Sequence, residues 1–267
     1  MNTFSGILRY EYGMLIRRWG LWFAYGLTYA FYSASFFASP PGNVEAQVII
    51  SQDEIWFSAG MMIFMINMFM PLMGGILAAD RMQRDVKLGL RELQRSTPLH
   101  HWTYILGKYC GVLLGVLTPA FVYVIFTGAV AALAGMAPWS FVGALVLAFL
   151  AMAVPAYAFV VAFSLACPLI MPVRVYQILF VGYWFWGNYL NPDYIPTLAG
   201  TALTPNGEFA WLAFFSGTFS GGVRQPTATE LAAAPFNLAL NWSVLALSIL
   251  GVMVALDLYH RRQVRQA

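Results

Sequence analysis

Charge is scarce in this chain: only 9% of its residues are Asp, Glu, Lys or Arg, against about a quarter in an ordinary soluble domain. That scarcity excludes water as the main solvent. With 60% hydrophobic and 16% aromatic residues, 267 residues hold several membrane spans of roughly 20 apolar residues each and leave no room for a large soluble domain. Cysteine is equally sparse. Cys110 and Cys167 lie far apart inside apolar stretches, which argues against a disulfide framework or thiolate metal site and reads as small core residues. The histidines, His100, His101 and His260, stand beside cations without ligand spacing, so no metal and no cofactor is expected in this chain. The phosphate-cradling pattern G-x-x-x-x-G-K-[ST] is missing too: Gly107-Lys108 is followed by Tyr109, and Trp102 stands where the first Gly belongs. Neither Asp80 with Asp85 nor Asp193 with Glu208 has a spacing that forces two carboxylates together. They read as solvated loop charges, and the chain is not expected to be an enzyme.

What remains is an all-α integral membrane pattern. Phe4, Ile7, Leu8, Tyr12, Leu15 and Ile16 recur at helical spacing, with Arg9 and Arg17 on other faces, so 1–18 reads either as an amphipathic helix on the membrane surface or as an extension of the first span. Six spans follow at 19–38, 55–78, 104–134, 141–167, 173–190 and 237–258, the last five making, with the first, one permease-like domain over 19–267. Ser33-Ala34-Ser35 resembles a signal-peptidase site, but the apolar run before it is too long for a signal segment. Pro71, Pro119 and Pro155 should kink the second, third and fourth spans. Lys108 sits in the first turn of the third span, where its stem should snorkel to the headgroups, and Asp257 in the last turn of the sixth.

Basic residues orient the chain. An inside N-terminus places every lysine and arginine except Arg224 on the inner face, with both termini cytoplasmic, as in a bacterial inner membrane. The segment 191–236 is then external. Its apolar piece, Phe209 to Phe219, is too short to cross and reads as a re-entrant helix or a packed external cap. The middles of the spans contain no Asp, Glu, Lys, Arg or His, so a proton- or sodium-coupled carrier is not indicated. Any energy for transport has to come from elsewhere. Asn67 and Met70 on the second span and Phe180, Tyr183 and Trp184 on the fifth are candidates to line a path for a hydrophobic or amphiphilic load, while Trp184, Trp186, Tyr189 and Tyr194 also fit an interfacial aromatic belt.

The inner loop between the second and third spans carries the strongest local pattern. Residues 79–98 are densely charged, with Met82, Val86, Leu88 and Leu93 among the basic residues, and Ser96-Thr97-Pro98 supplies a stop and restart. By physics alone this is either a docking helix or a charged connector held at the headgroups.

Within it, Gly89-x-x-Glu92-Leu93-x-x-Ser96-Thr97-Pro98, followed by Tyr104-x-x-Gly107-Lys108-Tyr109-x-Gly111, resembles the membrane subunit of ABC transporters of the type-2 exporter family. Leu90 stands where that family often has Thr. The resemblance implies a permease that pairs with a second copy or a paralogue and rests on two cytosolic ATPase subunits, which carry the ATP and Mg. It assigns the coupling helix to Lys87, Gly89, Arg91, Glu92, Leu93, Ser96, Thr97 and Pro98. Membrane lipids are the other expected partners, and nucleic acid is not one. A membrane subunit that anchors an ATPase and transmits force without transporting uses the same segment and stands as the alternative.

Overall fold

The structure is a computed structural model and describes residues 3–37, 50–87, 100–192, 194–215 and 228–265. Among these it is helical throughout, without strands. Helix α1 (Thr3–Ile16) and α2 (Trp19–Phe37) are separated only by Arg17 and Arg18, a tight turn closed by the Arg18 N–H on the Leu15 carbonyl at 3.0 Å.

Both pack on the long helix α6 (His101–Leu133). Glycines four apart share one helix face, and Gly107, Gly111 and Gly115 turn that face towards α1. Gly107 meets Ile7, Gly111 meets Leu8 and Glu11, and Gly115 meets Leu15. The numbers climb together on both helices, so α1 and α6 run in the same direction. The contact continues along α2, where Gly26 faces the Tyr123 ring and the Ser33 and Thr127 hydroxyls lie 3.3 Å apart.

The segment expected to form a second span is broken. Helix α3 (Ile55–Ile66) ends in a turn at 67–69, α4 (Met70–Ala78) follows, and α5 (Arg81–Lys87) completes the run. Met68 and Phe69 donate to Met65 and Ile66 at 3.1 and 3.2 Å, tightening the last turn to i−3 bonds. Pro71 stands in the first turn of α4, where its missing N–H costs nothing.

Pro155 acts in a similar place. Helix α7 (Ser140–Ala148) widens into a π turn over Phe149–Ala153 before α8 (Val154–Ala166), with the Val154 N–H reaching back to the Phe149 carbonyl. A proline lacks the donor and crowds the turn before it, which favours this widening. Pro119 lies inside α6, and the helix continues on both sides.

Three further helices complete the described chain. They are α9 (Val173–Asn188), the short α10 (Glu208–Ala210), which runs into a π turn at Trp211–Phe215, and α11 (Ala228–Arg265). Among the described residues, four stretches are long and apolar enough to cross a membrane: Gln52–Asp85, His101–Leu133, Ser140–Leu169 and Leu231–Tyr259. Helix α6 alone has 33 residues, roughly 50 Å of helix against a hydrocarbon core of about 30 Å. The expected first and fifth spans are the less apolar α2, rich in Trp and Tyr, and the 16-residue α9.

The core is formed where α3, α6, α7 and α8 meet, with Met62, Ile63, Val112, Val116, Phe141 and Met152 inaccessible or nearly so. Apolar side chains also cover the outside. Trp19, Phe23, Leu27 and Phe31 form an exposed stripe at i+4 spacing on α2, and Leu240, Leu247, Leu250 and Leu258 are exposed on α11. Such a surface suits lipid rather than water.

Candidate functional site

Helix α1 carries one acid, Glu11, four residues after Ile7 and four before Leu15, and therefore on its apolar stripe. The Gly111 backbone lets that stripe lie directly on α6, which buries Glu11 to 4% exposure. One turn earlier on α6, Lys108 is 1% exposed and bonds Glu11 Oε1 at 2.5 Å and Asp85 Oδ2 at 2.6 Å through its Nζ.

Arg81, at the start of α5 and also 1% exposed, places Nη1 at 3.8 Å from Glu11 Oε2 and Nε at 3.8 Å from the rim residue Asp80. The Tyr104 hydroxyl donates to Asp85, and its ring lies 5.8 Å from the Lys108 ammonium. Glu11, Arg81 and Lys108 are thus buried, Asp85 is half-buried, and the half-exposed Asp80 adds a third anion at the rim. Charges so placed are stable only when each is paired.

Two sequence expectations are corrected here. Lys108 does not snorkel to the surface; two carboxylates reached by α1 and α5 hold it inside the bundle. Asp85 is not a solvated loop charge, because it accepts from Lys108 and Tyr104. One available signal was the acid within the apolar stripe of α1. Another was the run Gly107-Lys108-x-x-Gly111-x-x-x-Gly115, a close-packing face with a cation beside it.

The ion-pair site stands at the base of the segment carrying the family-like motif. Asp85 lies just before 88–99, and Tyr104 and Lys108 lie just after it, so their bonds close the two ends of that segment on each other. Lys87 ends α5; Gly89, Arg91, Glu92, Leu93, Ser96, Thr97 and Pro98 lie outside the described residues. Gln83 extends the anchoring, donating to the carbonyls of Pro168 and Met171 in the turn between α8 and α9.

Away from the ion pairs, a second set of contacts is made by neutral amides, and it reaches the middle of the candidate span Gln52–Asp85. Asn67 at the break between α3 and α4 donates to the Asn206 carbonyl at 3.2 Å, and Asn206 donates to Asn188 at 3.3 Å. Asn241 of α11 bonds the carbonyls of Ala202 and Thr204, both at 2.9 Å. Gly207 is required in this turn: its φ is +90°, and a Cβ there would lie 2.8 Å from that of Met152. Burial raises the neighbouring Glu208 carboxyl above its usual range, partly offset by a hydrogen bond from Asn206.

Of the proposed path residues, Asn67, Met70 and Trp184 are enclosed. Trp184 Nε1 donates to the Met68 carbonyl at 2.8 Å, so it satisfies a backbone group freed by the helix break. Phe180 and Tyr183 instead line a cavity of about 350 Å³ between α8 and α9. The short apolar piece that begins at Phe209 is described to Phe215; Trp211 and Phe215 pack on Gly60 of α3, and Phe214 meets Trp242 of α11. Asp257 is paired with Arg261 at 2.7 Å. Among the described residues no group of three or more His, Cys, Asp or Glu side chains could hold a metal ion. No family model and no curated protein sequence matches the chain.

Proposed function

We propose that this chain is the membrane subunit of an ATP-driven exporter for a hydrophobic or amphiphilic solute, worked by two separate cytosolic ATPase subunits that bind the ATP and Mg. The observation that carries the reading is the ion-paired clamp. A segment pushed at 88–99 is tied at both ends to α5 and α6 through Asp85, Tyr104 and Lys108, and through Glu11 to α1. A rigid, buried charge set of this kind passes displacement on to whole helices instead of absorbing it in a loose loop.

In this reading α2 and α9 cross the membrane with the four longer apolar stretches, giving six spans, and the end of the bundle holding Arg81, Arg84 and Lys108 faces the cytoplasm with both termini. Helix α1 runs alongside the cytoplasmic part of α6 and extends the first span, pinned by the ion pairs. The asparagine-held turn at 202–206 then enters from the outer side and reaches the turn at 67–69. Asn67, Met70 and Trp184 become accessible to a solute only when the break at 67–69 or helix α9 moves. The protein pairs with a second copy or a paralogue, whose ATPase completes the working set.

The test is co-purification from native membranes followed by reconstitution into proteoliposomes. The wild-type chain is expected to bring down a Walker-motif ATPase and to support ATP-dependent solute movement. Glu92→Ala and Pro98→Ala are each expected to insert normally and lose most of that ATP-linked activity. Unchanged activity and unchanged ATPase recovery in both variants would overturn the assignment. ATP turnover without movement of any solute would replace transport with a force-transmitting role.

A further inference from the structure

The cavity between α8 and α9 has walls of one chemistry. Phe159, Phe163, Cys167, Leu179, Tyr183 and Leu203 line it, and the hydroxyl of Tyr176, which also lines it, is bonded to Ser164 at 2.9 Å. Its volume of about 350 Å³ lies in the range of sites that bind small apolar molecules. It opens sideways, where Leu179 and Ile178 are exposed on α9.

Two arginines stand close in sequence to the residues at one end of this cavity. Met171 lines it there, and the turn from Pro168 to Pro172 that carries Met171 is bonded by Gln83 of α5. Arg84, next to Gln83, and Arg174, in the first turn of α9, are both exposed, and neither has an ion-pair partner among the described residues. An apolar slot with arginines at one rim is complementary to a molecule with a long hydrocarbon tail and a phosphate at one end.

From this complementarity we infer that the cavity is a binding site for one anionic phospholipid, its acyl chain between α8 and α9 and its phosphate on Arg174 and Arg84. The occupant is a resident lipid rather than the exported solute. The inference depends on the chain lying in a membrane and is independent of the exporter reading. A lipid here would fill the space against α9 and brace the helix whose Trp184 holds the break at 67–69.

Photo-crosslinking of the full chain in liposomes tests this, using phosphatidylglycerol or phosphatidylcholine with a diazirine near the end of one acyl chain. Adducts read by peptide mass spectrometry are expected to concentrate at 159–183, with phosphatidylglycerol exceeding phosphatidylcholine by about fivefold for each arginine engaged. Arg174→Gln with Arg84→Gln, both at exposed positions, should bring the two lipids to equal yield without lowering the melting temperature. Leu179→Trp, which narrows the opening, should reduce both. Equal yields from the two lipids in the wild type would overturn the proposal. So would adducts spread as heavily over the exposed stripes of α2 and α11.

Discussion

Lys108 concentrates the energetics of the ion-paired end in one ammonium. It reaches Glu11, 97 positions earlier in the chain, and Asp85, 23 positions earlier, and it has no water to fall back on. Removing one member of such a set leaves a buried charge uncompensated, at a cost of about 3–5 kcal/mol. Lys108→Met is therefore expected to lower stability by that order in thermal unfolding of detergent-solubilised protein. Adding Asp85→Leu should recover part of the loss, since it removes an orphaned carboxylate. Strictly additive effects in this double-mutant cycle would show that the pair is not coupled.

At the scale of elements, the pairing of α1 with α6 is decided by missing side chains. A Cβ at Gly111 would stand 2.7 Å from the Leu8 carbonyl oxygen and 2.8 Å from Glu11 Cβ. Backbone cannot move aside as a flexible side chain can. Gly111→Ala is expected to cost about 1–3 kcal/mol and to loosen the ion pair it supports. Gly143→Ala, in α7 with open space around it, is the matched comparison and should be neutral or stabilising by up to about 1 kcal/mol. Parallel melting curves check both, and equal destabilisation would refute the close-packing account.

The helix breaks belong to this scale too. The proline positions were legible in the sequence, but their outcomes differ: a full break before Pro71, a π turn before Pro155, and an unbroken helix around Pro119. What separates them is the supply of partners for freed backbone groups. Trp184 supplies one for the Met68 carbonyl, and no local pattern around residue 68 announces a donor 116 positions away.

For the whole molecule, the central question is which end faces which compartment. The ion-paired end gathers Arg81, Arg84 and Lys108, whereas the contacts of Asn67 and Asn241 are neutral. Ser51 and His101, both exposed, flank the candidate span Gln52–Asp85. In a chain with Cys110 and Cys167 replaced by Ser, a membrane-impermeant maleimide added to intact cells is expected to modify Ser51→Cys at once. His101→Cys should react only after permeabilisation. The reverse pattern would invert the orientation, and prompt labelling of both would remove the crossing between them.

Composition and periodicity alone determined that this chain is built of apolar helices, and placed the ends of most of them within a few residues. The reason is local: in an apolar medium a helix satisfies its backbone from within its own segment, so hydropathy and proline largely define it. The exposed aromatic stripe of α2 and the 16-residue length of α9 show where hydropathy alone becomes equivocal about crossing. Which charges meet was decided by tertiary structure. Asp85 reads as a loop acid and Lys108 as a headgroup anchor. With Glu11 they become one ion-paired site only because a glycine face brings α1 onto α6 and a short α5 carries Asp85 to Lys108. Such pairings depend on distances between segments remote in sequence, and a burial penalty that only complementary charges can offset selects them after the helices have packed.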